Sequence, residues 1–329
     1  MSRPTHKTRI SVVMSIYNEP LQWLRAAVES VLGQTLHDFE LVIVCDNPDY
    51  EAGISYLRSI PDERVRIIVN PENLGPTKSF NIAIAASSGD YIARMDADDI
   101  CLPERFARQA EYLDEHPQVS VCATDTHTID EEGRIIRKNR YKKKHDPALN
   151  VISNSIAHPS VMMRRSLLQL REPLYNEEYK FSQDYELWTF LIMNGHKLHT
   201  IDEALLLYRK SSAQISSAKK SAQDELFRKA HRAFVVNYLI SLDIAEETDT
   251  LEAMLEKSSQ AYADAADEDR RFLTYIIYVL YYSLGTNDWK YRLKYLADRN
   301  MMVMRLGVIF TYRMLFSRHA RREIYGING

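Results

Sequence analysis

Residues 76–99 read PTKSFNIAIAASSGDYIARMDADD, and this stretch holds the unit from which the rest of the chain can be ordered. The pattern predicts a helix over 76–88, with Gly89 as its C-terminal stop. Tyr91–Met95 then predicts a strand that runs directly into Asp96-Ala97-Asp98-Asp99. A helix, a strand and an acidic turn follow one another with almost no linker.

Upstream, the same unit recurs. Ile10–Ile16 (ISVVMSI) is apolar and rich in β-branched residues, which predicts a buried strand. Asn18-Glu19-Pro20 has the composition of a helix start. Leu21, Leu24, Val28, Val31 and Leu32 follow at helical spacing and give one apolar face. Phe39–Cys45 is a second strand and Arg64–Val69 a third. The order is strand, helix, strand, helix, strand, helix, strand, which predicts a mostly parallel α/β sheet covered by helices. Ligands of such sheets bind beyond the carboxyl ends of the strands. Asp96 to Asp99, Asp46 and Ser15 to Glu19 all fall at those ends.

Downstream of Pro103 another helix carries Phe106, Ala110 and Leu113 on one face. Residues 118–163 read as strands and loops, with a hairpin around Glu132-Gly133. Asp184–Asn194 predicts a short apolar helix stopped by Gly195, and 198–210 further strands. From about residue 220 the patterns are helical, at 225–241, 250–263, 267–284 and 288–316. The expected organisation is therefore a catalytic α/β domain over 1–218 and a helical domain over 219–329.

Bulk properties narrow the function classes. The chain has 329 residues, enough for a large core and more than one domain. A net charge of −3 at pH 7 gives no basic excess for wrapping nucleic acid. The three cysteines, Cys45, Cys101 and Cys122, show no CxxC spacing, so neither a disulfide framework nor a zinc site is expected and a reducing compartment fits. The run Ile10–Ile16 is too short for a signal sequence of the usual kind, and no stretch is long and apolar enough to span a bilayer.

Several residues have chemistry suited to a site. In an extended segment Asp96 and Asp98 face the same way and can aim carboxylates at one point. Hard cations such as Mg²⁺ or Mn²⁺ take such oxygen ligands together with substrate phosphates. A solvated acidic turn is the competing reading. Asp184 is placed to accept a proton from a hydroxyl as a general base; it also suits a plain helix N-terminus. Tyr17 could stack on a nucleobase and Asp46 accept a base N–H, against a packed tyrosine and a turn aspartate. Lys78 and Arg94, and more weakly Arg209, could meet phosphate oxygens. His158 in HPSVMM reads either as a structural histidine or as a metal or phosphate contact.

Taken together, SVVMSIYNEP (11–20), LRAAVESVLGQTLHDFELVIV (24–44), residues 70–109, HPSVMMRR (158–165) and QDYELW (183–188) resemble the family 2 glycosyltransferases of bacterial surface-polysaccharide synthesis, over about residues 8–212. The resemblance implies a GT-A fold and an inverting single displacement from a nucleoside-diphosphate sugar, most often a UDP-sugar, to a glycan or lipid-linked glycan hydroxyl. It implies that Asp98, with Asp96, holds Mn²⁺ or Mg²⁺ against the diphosphate. Asp184 then falls at the catalytic base, Ser15, Tyr17 and Glu19 where base and ribose are gripped, and Asp46 in the base-recognition segment. The family often reads Asp-Asp-Gly-Ser after its second strand; here Cys45-Asp46-Asn47-Pro48 keeps one acid.

Beyond residue 215 the resemblance fades. Residues 301–322 combine an apolar run with five arginines and no acid. This composition suits a peripheral helix on an anionic membrane, at the inner face of the cytoplasmic membrane, and equally a helix packed on the catalytic domain. Residues 272–282 are apolar but too short to span. Two other enzyme classes are disfavoured, because no glycine-rich loop follows the first strand as nucleotidyltransferases and dinucleotide dehydrogenases require. A catalytically inactive binding or assembly subunit of the same fold is the remaining alternative, and the joint presence of Asp96, Asp98 and Asp184 weighs against it.

Overall fold

A computed structural model describes residues 8–141, 143–145, 154, 156–211, 220–241 and scattered positions from 243 to 261. Strand β1 (Ile10–Ile16) is buried along its length apart from half-buried Ser15. It is followed by α1 (Leu21–Leu32), β2 (Phe39–Cys45), α2 (Glu51–Arg58), β3 (Val65–Val69), α3 (Pro76–Ala85), β4 (Tyr91–Asp96), β5 (Ile100–Cys101) and α4 (Arg105–Glu115). The second half adds β6 (Val119–Ile129), β7 (Ile135–Asn139), β8 (Lys144–His145), β9 (Met162–Arg164), α5 (Gln183–Met193), β10 (Lys197–Arg209) and α6 (Lys220–Ser241).

The strands form one sheet in the order β3-β2-β1-β4-β9-β6-β10-β5, with β7 beside β6 and β8 beside β10. The β3-β2-β1-β4 half is wholly parallel, as the alternation of elements requires. The other half is mixed. Short β9 runs antiparallel to both β4 and β6, while β6 and β10 are parallel to each other. The expectation of a mostly parallel sheet thus holds for the half built from helix-connected strands. It does not extend to the half whose strands are joined by loops and hairpins.

Two-residue periodicity builds a core on each face of the sheet. Val12, Met14 and Ile16 of β1, with Leu41 and Ile43 of β2, face α1, α2 and α4 through Leu24, Val28, Leu57, Phe106 and Leu113. Val13, Val42, Val44 and Ile92 point the other way, onto Phe80 and Ile84 of α3 and Trp188 and Leu191 of α5. Register then sets the site: Ser15 lies opposite Asp96 and Ile16 opposite Cys45, so the carboxyl ends of β1, β2 and β4 are level.

The helix expected over 76–88 ends earlier, at Ala85. Ser87 Oγ bonds the Ile84 carbonyl, and the Glu40 carboxylate takes both the backbone N–H and the hydroxyl of Ser88. These bonds turn the chain towards β4 before Gly89. Gly89 itself serves close approach. A Cβ there would lie 2.6 Å from Ser11 N and 2.7 Å from Ile10 C.

The chain separates into two compact units, Met1–Phe234 and Val235–Gly329. In the first, Ala230 and Phe227 of α6 pack against Tyr179 and Tyr185. In the second, Lys257 pairs with Asp249 at 2.7 Å. The boundary expected near residue 218, the apolar run 272–282 and the basic run 301–322 lie outside the described residues. Among the described residues no helix is long and apolar enough to cross a membrane, and all three cysteines are buried and free.

Candidate active site

Where β4 ends, Asp96, Asp98 and Asp99 each present a carboxylate oxygen within 4.8 Å of the others. Two-residue β5 pins the turn that carries them by pairing with Leu206 and Leu207 of β10. Buried Arg209 clamps the same turn. Its backbone N–H donates to Asp99 Oδ1 (2.8 Å), its Nε to the Asp98 carbonyl (2.8 Å) and its Nη1 to the carbonyls of Asp130 and Glu131 (2.9 Å each). The guanidinium also lies over Trp23, 5.1 Å from the ring centre. Arg209, expected as a weak phosphate contact, donates from Nε and Nη1 to backbone carbonyls.

The acids are held close enough to disturb one another. Burial, then the charges of Asp98 and Asp96, raises the Asp99 carboxyl well above the ordinary aspartate range. Its Oδ2 is buried without a hydrogen-bond partner among the described residues. Glu19, behind β1, is raised by burial and by the same two aspartates to about 7, although the Tyr17 N–H donates to it at 2.9 Å. A cluster of oxygen-only ligands with an unpartnered buried oxygen fits a hard divalent cation.

Arg94 stands below this cluster on β4. Its Nη2 is 2.7 Å from Asp96 Oδ1, and its guanidinium lies 4.5 Å from the Phe80 ring centre. Burial opposes the charge, but Asp96, Tyr175 and Asp184 outweigh it and hold Arg94 more basic than usual.

Asp184 occupies the first turn of α5. Burial raises its carboxyl, opposed by the Tyr185 N–H, by Asn154 and by the Arg94 charge. Asn154 Nδ2 donates to its Oδ2 at 2.6 Å. A cavity of about 260 Å³ is lined by Asp184, Arg94 and Asp96, with Thr126, Tyr141, His158 and Tyr208 among its other lining residues. Residue 184 thus shares one concave space with residues 94 and 96, far from it in sequence.

The remaining expectations divide. Ser15 is half-buried opposite Asp96, and Tyr17 is 48% exposed at the end of β1. Asp46 is buried, and its carboxylate is engaged by the chain itself: Oδ1 accepts from Asn70 Nδ2 and Leu74 N, Oδ2 from Gly75 N, each at 2.8 Å. It fixes the loop ahead of α3, where Gly75 has a φ of 87°. Lys78 is not among the residues lining the cavity and forms an exposed pair with Glu177 at 3.7 Å. His158 is not in the acidic cluster. Its Nε2 lies 2.8 Å from the Tyr175 hydroxyl, and burial and Arg94 push its pKa well below the usual value. His158 lines the cavity and packs edge-on against Trp188. Thr126, Tyr141, Asn154, Tyr175 and Tyr208 were missed, because none belongs to a motif and only the folded chain brings them together.

Comparisons with known proteins show what the chain is similar to. The family model described as glycosyl transferase family 2 matches residues 11–171. An uncharacterized glycosyltransferase of Methanocaldococcus jannaschii is 36% identical over 208 residues, covering 62% of this chain and 71% of its own. The amylovoran biosynthesis glycosyltransferase AmsE of Erwinia amylovora is 30% identical over 212 residues, covering 64% and 79%. Among solved structures, S. aureus TarS 1-349 in complex with UDP-GlcNAc superposes with a TM-score of 0.57 at 18% identity. It covers 82% of this chain and 79% of its own, a likeness of fold.

Proposed function

The chain belongs to glycosyltransferase family 2, and we propose that it moves a sugar with inversion from a nucleoside-diphosphate donor to a hydroxyl of a glycan or lipid-linked glycan in surface-polysaccharide synthesis. One observation carries this reading: Asp96 and Asp184 line a single cavity. One carboxylate belongs to a metal-binding turn and the other is a base.

In the proposed displacement the acceptor hydroxyl enters on the Asp184 side. Asp184 takes its proton as the oxygen forms a bond to the anomeric carbon, and the bond from that carbon to the diphosphate oxygen breaks on the opposite face. The electron pair leaves with the nucleoside diphosphate. Asp98, with Asp96 and Asp99, would hold Mn²⁺ or Mg²⁺, which as a Lewis acid neutralises the charge growing on the leaving group. Burial suits Asp184 to the role, since a carboxylate raised above its ordinary range is a stronger base.

Ser15, Tyr17 and Glu19 at the end of β1 form the side assigned to base and ribose, with Tyr17 free to stack. Asp46 acts there by holding residues 74 and 75 and keeps room on Oδ2 for one further donor. Lys78 would reach phosphate only by leaving Glu177. The TarS structures in complex with UDP and with UDP-GlcNAc favour a UDP-sugar here. A catalytic domain to about residue 218 and a helical domain after it, with 301–322 on the inner face of an anionic membrane, complete the proposal.

Asp184→Asn tests it. Transfer should fall by about 10²–10⁴-fold while donor affinity stays within a few-fold. Transfer at the wild-type rate would remove Asp184 from the base role.

A further inference from the structure

Strand β7 is exposed over Ile135 to Lys138 and half-buried only at Asn139. Among the described residues it pairs with β6 alone, so its outer edge is open. The register slips where Ile129 faces Ile135 and Thr128 faces Arg137, which leaves Ile136 as the extra residue of a bulge. Ile135 is 52% and Ile136 57% exposed. Tyr17 and Leu170 are the other exposed large apolar side chains among the described residues, and neither has such a neighbour in sequence. Apolar side chains exposed singly are ordinary on a protein surface, whereas contiguous ones mark a surface that meets a partner.

The charge beside this pair says which partner. Residues 134–145 hold seven Lys and Arg and no Asp or Glu. The nearby acids are mostly engaged. Arg134 takes Asp130 at 2.7 Å and Glu132 at 2.8 Å. Lys143 takes buried Asp125 at 3.1 Å and bridges at 2.8 Å to Asp202, which also feels the Arg140 charge. Arg137, Lys138 and Arg140 are exposed and form no ion pair among the described residues, against Glu131 as the one acid of the turn left in the same state. The hairpin thus presents a surplus of positive charge next to two aliphatic side chains.

Cations and a bulge on an open edge also deter strands from pairing with it, but that role gives no place to exposed isoleucines. The cations alone would suit any polyanion. The isoleucines gain nothing from phosphates or from an acidic glycan, whereas the headgroup boundary of a bilayer buries aliphatic groups and attracts cations together. We propose that the β6–β7 hairpin docks on an anionic lipid surface, with Ile135 and Ile136 entering the headgroup boundary and Arg137, Lys138 and Arg140 meeting lipid phosphates and carboxylates. Tyr141, which lines the cavity, follows Ile136 by five residues, so the docked surface lies within roughly 18 Å of the cavity along the chain. This inference goes beyond the transfer reading and does not depend on it.

The test is co-sedimentation of the full chain with vesicles of phosphatidylcholine, with and without phosphatidylserine. Two variants are compared with wild type, Ile135→Ser with Ile136→Ser, and Arg137→Gln with Lys138→Gln and Arg140→Gln. Both leave residues 301–322 intact, and matched thermal melts check folding. Wild type should prefer the vesicles that contain phosphatidylserine. Each variant should bind them about tenfold or more weakly at low salt, and the preference of wild type should shrink at high salt. If one variant does not fold, the other decides. Wild-type binding indifferent to phosphatidylserine, or undiminished binding by the folded variants, would overturn the inference. Undiminished vesicle binding together with loss of self-association in the isoleucine variant would overturn it in favour of a second copy of the chain at this edge.

Discussion

At the scale of single residues, Asp184 is pulled between stability and use. Its carboxyl is raised in the fold by burial, so the folded state holds its proton more tightly than the unfolded chain does. By linkage, stability from this group is fully present below the unfolded aspartate value, near 3.9, and is lost as pH rises through the higher folded value. Activity runs the other way, since only the ionised form accepts a proton. The acid limb of transfer against pH should therefore lie above the ordinary aspartate range. Asp184→Asn should raise Tm at neutral pH while it abolishes transfer, in thermal melts and rate assays of the same preparation. An unshifted acid limb, with a lowered Tm in the variant, would contradict the assignment. The acidic turn and Asp184 were legible in the sequence because carboxylates at strand and helix ends are local features. The bonding of Asp46, His158 and Arg209 was not, because Leu74 and Gly75, Tyr175, and the carbonyls of Asp130 and Glu131 reach them only through the fold.

At the scale of elements, β1, β2, α1 and the alternation of the first four strands with helices followed from apolar periodicity. The end of α3 did not, because Glu40, on another strand, captures Ser88 and turns the chain early. Short β9 was read only as part of the strands and loops of 118–163, since three residues carry no period of their own. Gly89 was legible as a stop signal but works by contact: its backbone N–H bonds Ser11 Oγ at 2.7 Å, and a side chain there meets the backbone of β1. Gly89→Ala should therefore lower the free energy of unfolding by about 1–3 kcal/mol, as overpacking does, read from the denaturant midpoint. Because β4 carries Arg94 and Asp96, nucleotide affinity should weaken in parallel. A neutral substitution would mean that β1 and β4 can separate without cost.

At the scale of the molecule, the sheet turns a sequence of separated motifs into one cavity. Level strand ends bring β1 and β4 together, and α5 delivers Asp184 from almost ninety positions further along. The basic run 301–322 belongs to this scale too. If it meets an anionic surface, changing Arg305, Arg313 and Arg318 together to Gln should reduce co-sedimentation with phosphatidylserine vesicles severalfold at low salt and leave uncharged vesicles unaffected. Equal sedimentation of both proteins would assign the run to internal packing. The central claim is that β4 ends in a metal-dependent site for a nucleoside-diphosphate donor. Its most direct test is to titrate UDP, GDP, dTDP and CDP, each with and without Mn²⁺, into wild type and Asp98→Asn. One nucleotide should bind tightly only with metal, and the variant should lose that metal-dependent gain. No nucleotide binding by folded wild type, or binding indifferent to both Mn²⁺ and Asp98, would contradict the account.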